Sequence, residues 1–306
     1  MDRREFLKML GRFSVAAGMA ALAGGRRPLF AQAHGTSAWD LAAVMGGEPG
    51  DMFDAGIASF GGMPSFVKPG QSVCIKVNAS WNAPPERGAT TSPSLVERIV
   101  RRCREAGASR IYVLDHTIEN AKLAFSSTGI EEAARTGGAQ IVPANSRGYY
   151  QELSVPGAQR LKSVMVHELL LETDVFINVP ILKHHGSTTI TSAMKNLMGV
   201  IWDRGYYHAN DLHRCIAEFP LLVKPDLNVV DAYTVMNSGG PRGFYSGSDL
   251  SVRRMQIISP DIVAVDAAAA RTWGTEPEKV RYIELAHGFG LGESNLEALR
   301  INRIRV

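Results

Sequence analysis

Cysteine is scarce: three residues, Cys74, Cys103 and Cys215, in a chain of 306. They are too few and too scattered to ligate an iron–sulfur cluster, form a cysteine zinc site or staple a disulfide scaffold. We therefore expect no cysteine-ligated iron–sulfur cluster, and read all three as buried thiols. No apolar run reaches the about 20 residues a helix needs to cross a bilayer. Familiar motifs are missing as well. No Gly-x-Gly-x-x-Gly opens a helix after a strand, and there is no P-loop, no Gly-x-Ser-x-Gly elbow and no Cys-x-x-Cys. Internal repeats and low-complexity linkers are absent too. What remains is ordinary globular composition, 45% apolar and 21% charged, in a chain long enough to bury a substantial core.

The net charge of +3 is unevenly placed. Residues 1–33 hold six Arg and Lys against Asp2 and Glu5, leaving 27 basic and 28 acidic side chains in the rest. The body of the chain lacks a basic footprint, so no nucleic-acid partner is expected. The leader opens Asp2-Arg3-Arg4-Glu5-Phe6-Leu7-Lys8, which resembles the twin-arginine export motif. A weakly apolar stretch, Phe13 to Ala23, ends before Arg26 and Arg27, and Ala31-Gln32-Ala33 offers a small-x-small cleavage site. These features predict a signal peptide over 1–33, read by the twin-arginine translocase. The mature domain would be 34–306, starting at His34, periplasmic or secreted and without a stable membrane span.

From Pro69-Gly70 the pattern sharpens. Ser72–Asn78 reads as a buried strand, and Ser92-Pro93 starts a helix with Leu95, Val96, Ile99, Val100 and Cys103 at helical spacing. Ser92 is the expected N-cap. Arg110–Asp115 is a second strand, so the three form a βαβ unit with a right-handed crossover. Further strands are predicted over Gln140–Pro143, Lys162–Val166, Asp174–Val179, Asp226–Asp231, Leu250–Ile258 and Leu299–Arg305. Helices are predicted near Trp39–Met45 and over Gly129–Thr136, Thr189–Val200, Ala209–Phe219, Asp261–Trp273 and Pro277–His287, with a loop at Pro180–Gly186. The expected fold class is α/β, a mostly parallel open sheet flanked by helices, with room for a smaller second lobe.

In such sheets ligands bind beyond the carboxyl ends of the strands. The polar residues collect there: Lys76 and Asn78, Asp115, Lys183 with His184 and His185, and Asp231. In Thr188–Gly199, hydroxyl residues precede a helix carrying Lys195 and Asn196, chemistry suited to an anion. The histidines leave alternatives open. His184 or His185 with His208 and a carboxylate would make a metal site; singly they would serve as anion donors or acid–base groups. Arg242, in Gly239-Gly240-Pro241-Arg242-Gly243, is either a carboxylate clamp or part of a plain turn. His34, His167 and His287 are read as structural. The candidate catalytic residues are Lys195, His184 and Asp115. The candidate binding residues are Lys76, Asn78, Lys183, Asn196, His208, Asp231 and Arg242. All but Arg242 are expected to line one crevice that takes a small anionic ligand.

These residues carry a likeness. Lys68-Pro69-Gly70, Lys76-Val77-Asn78, Asn178-Val179-Pro180, Lys183-His184-His185 and Met194-Lys195-Asn196-Leu197-Met198-Gly199 resemble the domain of unknown function 362 family, from about Pro69 to the C-terminus. His208, Pro225-Asp226-Leu227, Asp231, Gly240-Pro241 and Ser259-Pro260-Asp261 through Asp266 are similar as well. The resemblance implies an α/β fold distantly like that of lactate racemase. Members often adjoin ferredoxin-like iron–sulfur modules, but the cysteine runs those need are missing here. Three functions therefore compete: an exported enzyme on a small anionic substrate, a periplasmic binding or cofactor-handling protein, and an electron-transfer accessory lacking its own cluster. Substrate, metal and organic cofactor are not specified by the sequence.

Overall fold

The computed structural model describes residues 37–243 and 249–306, so the leader, its Ala31-Gln32-Ala33 site and His34 lie outside the described residues. The elements in chain order are β1 (Leu41–Met45), α1 (Pro49–Ala58), β2 (Ser72–Val77), α2 (Pro93–Glu105), β3 (Arg110–Leu114), α3 (Ala121–Ser127), α4 (Ile130–Gly137) and β4 (Gln140–Ile141). Next come β5 (Tyr150–Ser154), β6 (Ser163–His167), α5 (Leu169–Glu172), β7 (Val175–Val179), β8 (Ile181–His185), β9 (Thr189–Thr191) and α6 (Ala193–Asn196). The chain continues with α7 (Arg204–Ala209), α8 (Leu212–Glu218), β10 (Leu227–Met236), β11 (Leu250–Ser259), α9 (Ile262–Trp273), α10 (Arg281–Gly288) and β12 (Ile301–Arg305).

The main sheet runs β12-β1-β11-β10-β7-β2-β3-β4, with β8 and β9 joined beside β10. β11 is antiparallel to both its neighbours, while β10, β7, β2, β3 and β4 pair in parallel. This is the mostly parallel α/β sheet expected from the alternating pattern. β5 and β6 form a separate antiparallel pair. Helices cover both faces, because strand side chains alternate and both sets are apolar. On one face Val73, Ile75, Ile177 and Val229 pack with Leu95, Ile99 and Phe53 from α2 and α1. On the other, Cys74, Phe176, Val230 and Ile257 pack with the Ala-rich α9 and with α8 and α10. All three cysteines are buried free thiols, and burial pushes Cys74 up to about 12.

Several expectations are corrected. Leu41–Met45 is a strand rather than a helix. Its Ala-rich sequence favours a helix locally, but it lies between β11 and β12, which bond both its edges. Between Met45 and Pro69, where no element is predicted, lies α1, which starts at Pro49 and buries Met52, Phe53, Gly56 and Ile57. Pro180–Gly186 is not a loop. Pro180 interrupts β7, its carbonyl accepts from Asp231 N at 2.8 Å, and the chain resumes beside β10 as β8. Thr189–Val200 begins as strand β9 and becomes helical only at Ala193. Ser92 makes no side-chain cap; its backbone N–H donates to Asp231 Oδ2 at 2.8 Å.

Candidate functional site

Period-two alternation sets a polar row across the sheet. Lys76 on β2, Asn178 on β7, Asn228 on β10 and Ser259 on β11 are register partners. They therefore share a face, one position beyond the apolar Cys74 and Phe176. Buried amides must find partners, and here they find one another. Asn178 Nδ2 donates to Asn228 Oδ1 at 3.0 Å and to the Ala193 carbonyl at 3.1 Å. Asn178 Oδ1 accepts from Asn196 Nδ2 at 2.9 Å. Asn196 Oδ1 then accepts from Asn78 Nδ2 at 3.0 Å and from Lys76 Nζ at 3.2 Å. α6 is held from behind by Asp266 on α9, whose carboxylate accepts from Ala193 N at 2.5 Å and Met194 N at 2.9 Å. Burial raises Asp266 to about 6, against the pull of these donors.

At the carboxyl ends of β2 and β3 this network opens into a cavity of about 60 Å³. Lys76, Asn78, Asp115, Lys183, Lys195 and Asn196 line it, six of the ten residues singled out in the sequence. Also lining it are His185, Arg204, Gly199, Ser80, Trp81 and Pro241, together with Ile118, Thr191 and Met198. The wall thus holds four basic residues, Lys76, Lys183, Lys195 and Arg204, and a single carboxylate, Asp115.

The lysines are held differently. Lys76 Nζ pairs with Asp115 Oδ1 at 3.0 Å, fully buried, and also donates to Val77 O. Burial pulls its ammonium down and the Asp115 carboxylate pulls it back up. Asp115 Oδ2 accepts from Ala79 N at 2.6 Å, which locks the strand end beneath the pair. Lys183 donates to Asn78 Oδ1 at 3.1 Å and to Ala89 O, and burial lowers it to about 7. Lys195 is half-buried, and among the described residues its Nζ has one polar contact, Met198 Sδ at 3.1 Å. A thioether is a weak acceptor. Burial first, then Arg204 and Lys76, lower Lys195 to about 8. Arg204 donates to the carbonyls of His116 at 2.6 Å and Thr117 at 3.1 Å. That bridge ties α7 to the segment after β3.

Gly199 lies directly over the ion pair. A Cβ there would fall 2.6 Å from Lys76 Nζ and closer still to Asp115 Oδ1. His185 is pushed down to about 3 by burial and then by Lys195 and Lys183, so it is a neutral imidazole. Its Nδ1 accepts from Ser187 N at 3.2 Å, which assigns the ring proton to Nε2.

Four of the expected residues lie elsewhere. His184 sits between Lys183 and His185 on β8 and so faces the other way; its Nδ1 accepts from Gly240 N at 3.1 Å. Asp231 is not at a strand end, because β10 continues to Met236. It faces the opposite side of the sheet, where it accepts from Ser92 N and, at 3.0 Å, from Tyr233 N. Arg242 is at the rim beside Pro241, 41% exposed and paired with Glu119 at 2.7 Å. His208 is exposed on α7, one turn beyond Arg204, and does not line the cavity. Among the described residues no three or more His, Cys, Asp or Glu side chains gather as a metal-binding group, so His184, His185 and His208 are not assembled with a carboxylate.

Asn178, Asn228, Arg204 and Gly199 were absent from the candidate catalytic and binding residues, and His185 was weighed only as an alternative metal ligand, anion donor or acid–base group. Asn178 had a visible signal, an amide inside the otherwise apolar run Val175–Val179. Arg204 had none, since an arginine opening a short helix is ordinary.

Fold and cavity together define an α/β protein with a basic pocket at the carboxyl edge of its sheet. The chain belongs to the family described as "Domain of unknown function (DUF362)", whose model matches residues 73–271. A similar relative is the thylakoid-associated protein sll1697 of Synechocystis, 24% identical over 245 residues, 78% of this chain and 74% of that protein. Among solved structures, the lactate racemase apoprotein from Thermoanaerobacterium thermosaccharolyticum is similar with a TM-score of 0.39 and 12% identity. That match covers 65% of this chain and 51% of the other.

Proposed function

We propose that this chain is an exported protein that binds a small anion, a carboxylate or a phosphate, in the cavity beneath Lys195. The observation that carries the reading is the charge imbalance among the described residues: four basic residues face one carboxylate, and Lys195 has only a thioether beside it. Cations gathered in a partly dehydrated pocket repel one another, and a bound anion relieves that repulsion. The cavity size supports a small ligand. One water needs about 10–15 Å³ of such space, so the cavity suits roughly four to six non-hydrogen atoms.

Export rests on the Arg3-Arg4 motif and the Ala31-Gln32-Ala33 site, with 1–33 as the signal and 34–306 as the mature domain in the periplasm or outside the cell. No nucleic-acid partner is proposed, because the mature chain carries 27 basic and 28 acidic residues.

The test is thermal denaturation with acetate, glycolate or inorganic phosphate at fixed ionic strength, against chloride as control. At least one of these anions should raise the melting temperature of the wild-type chain, and the shift should vanish in Lys195→Met. Equal shifts in wild type and variant, or no shift with any anion up to tens of millimolar, would reject the reading.

A further inference from the structure

We propose that Lys195 is a covalent catalytic residue, forming an imine with the carbonyl carbon of a small 2-oxo acid. The proposal rests on the anion-binding reading and deepens it by naming the substrate class.

Three geometric facts single out this lysine. Lys76 and Lys183 spend their ammonium protons on oxygen acceptors: Asp115, Asn196 and Val77 O for the one, Asn78 and Ala89 O for the other. Among the described residues Lys195 Nζ has only Met198 Sδ, so no strong acceptor holds its ammonium protons and one can leave. The helix bearing it is also anchored: Asp266 holds Ala193 and Met194, and Asn196 is bound on both sides, by Asn178 and by Asn78. The amine is therefore presented by a fixed backbone, as a nucleophile requires. Neighbouring cations and burial favour its neutral form, and the shift to about 8 agrees with that.

The same wall selects the substrate. Arg204 has N–H donors beyond those given to His116 and Thr117. These take a carboxylate next to the reacting carbon. An oxo acid of glyoxylate or pyruvate size matches the cavity of about 60 Å³.

The chemistry balances without a cofactor. The neutral Lys195 amine adds to the carbonyl carbon and the oxygen takes a proton, giving a carbinolamine. Loss of that oxygen as water leaves a carbon–nitrogen double bond, and one proton makes it an iminium. The proton that makes the departing hydroxyl water comes from solvent, and the neutral His185, on the same wall, offers that oxygen a hydrogen bond from Nε2–H. The iminium then withdraws electrons from the adjacent carbon, as imines of lysine do generally.

The experiment is reductive trapping on the full chain. Wild-type protein is incubated with pyruvate, or with glyoxylate, and sodium cyanoborohydride, then analysed by intact mass and peptide mapping. The expected result is one saturable adduct, equal to the oxo acid less water plus two hydrogens, on the peptide carrying Lys195. Labelling should fall by about tenfold or more in Lys195→Arg, since a guanidinium is not a nucleophile at neutral pH. Mapping on wild type decides the matter even if the variant does not fold.

Melting temperatures with pyruvate, glyoxylate and the non-carbonyl analogues lactate and glycolate separate this proposal from the reading beneath it. If the oxo acids stabilise the protein no more than their hydroxy analogues and leave no Lys195 adduct, the imine is refuted while anion binding stands. Labelling spread over surface lysines at equal rates refutes the imine as well. No stabilisation by any of the four acids or by inorganic phosphate removes both.

Discussion

Lys76 Nζ and Asp115 Oδ1 meet at 3.0 Å with both side chains out of contact with solvent. The pair joins the ends of two adjacent parallel strands, whose register also sets Lys76 opposite Leu114. Gly199 covers it and Asn196 braces it, so the floor of the cavity is built before any ligand arrives. The other three basic residues on the wall are not part of this pair. Lys183 and Arg204 are held by neutral oxygens, and among the described residues Lys195 has only a thioether.

Breaking the buried pair should be costly. Lys76→Met leaves the Asp115 carboxylate buried with only Ala79 N and Ser80 Oγ as donors, and the expected loss is about 3–5 kcal/mol. Adding Asp115→Asn removes the stranded charge and keeps an acceptor for Ala79 N, so the double variant should recover part of that loss. Urea denaturation of the three proteins checks this. A single variant costing under about 1 kcal/mol would mean the pair is solvated and not structural.

Lys195 should behave in the opposite way. Its folded-state value, near 8, lies below the ordinary 10.5, so between these the unfolded chain binds a proton that the folded chain has released. Stability therefore rises with pH through that window, and the penalty is fully present below about pH 8. Lys195→Met should stabilise the protein at pH 7 by about 1–3 kcal/mol, with the gain shrinking toward pH 10. Denaturation midpoints for wild type and variant at pH 7 and pH 10 measure it. A gain that does not change with pH would assign the effect to packing.

Gly199 is required for steric reasons, since its φ lies outside the left-handed region. Gly199→Ala should push Lys76 and Asp115 apart and cost at least the about 1–3 kcal/mol typical of overpacking. Gly186→Ala, where a Cβ meets nothing within 4 Å, should stay within about 0.5 kcal/mol of wild type. Comparable losses at the two positions would show that neither reports on the ion pair.

Export is tested through the leader alone. With Arg3 and Arg4 both changed to Lys, precursor should accumulate in the cytoplasm of a host with a twin-arginine translocase. N-terminal sequencing of wild-type product from the periplasm should begin at His34. Unimpaired export of the double variant would exclude the twin-arginine route.

Sequence pattern and tertiary structure contributed different things. Alternation of period two and helical spacing are local properties, so Ser72–Val77, Pro93–Glu105 and Val175–Val179 were legible from their own residues. In a parallel sheet the carboxyl ends share one edge, which is why Lys76, Asn78, Asp115, Lys183, Lys195 and Asn196 could be grouped before any geometry was known. That the chain would form an α/β sheet with polar strand ends was thus determined by the sequence itself.

What it left undecided depended on partners distant in the chain. Leu41–Met45 became a strand because β11 and β12 supply hydrogen bonds from more than 200 residues away. His184 and His185 differ only in which way a strand residue points, and that parity was fixed when β8 took its register beside β10. Asp231 left the site for the same reason: β10 runs past it to Met236, so it faces α2 from within the sheet instead of ending a strand. Which lysine would be neutralised was decided last. Asp115 reaches Lys76 at 3.0 Å, while Lys195 is left beside a methionine sulfur, because packing of α6 against Asp266 sets where that side chain begins.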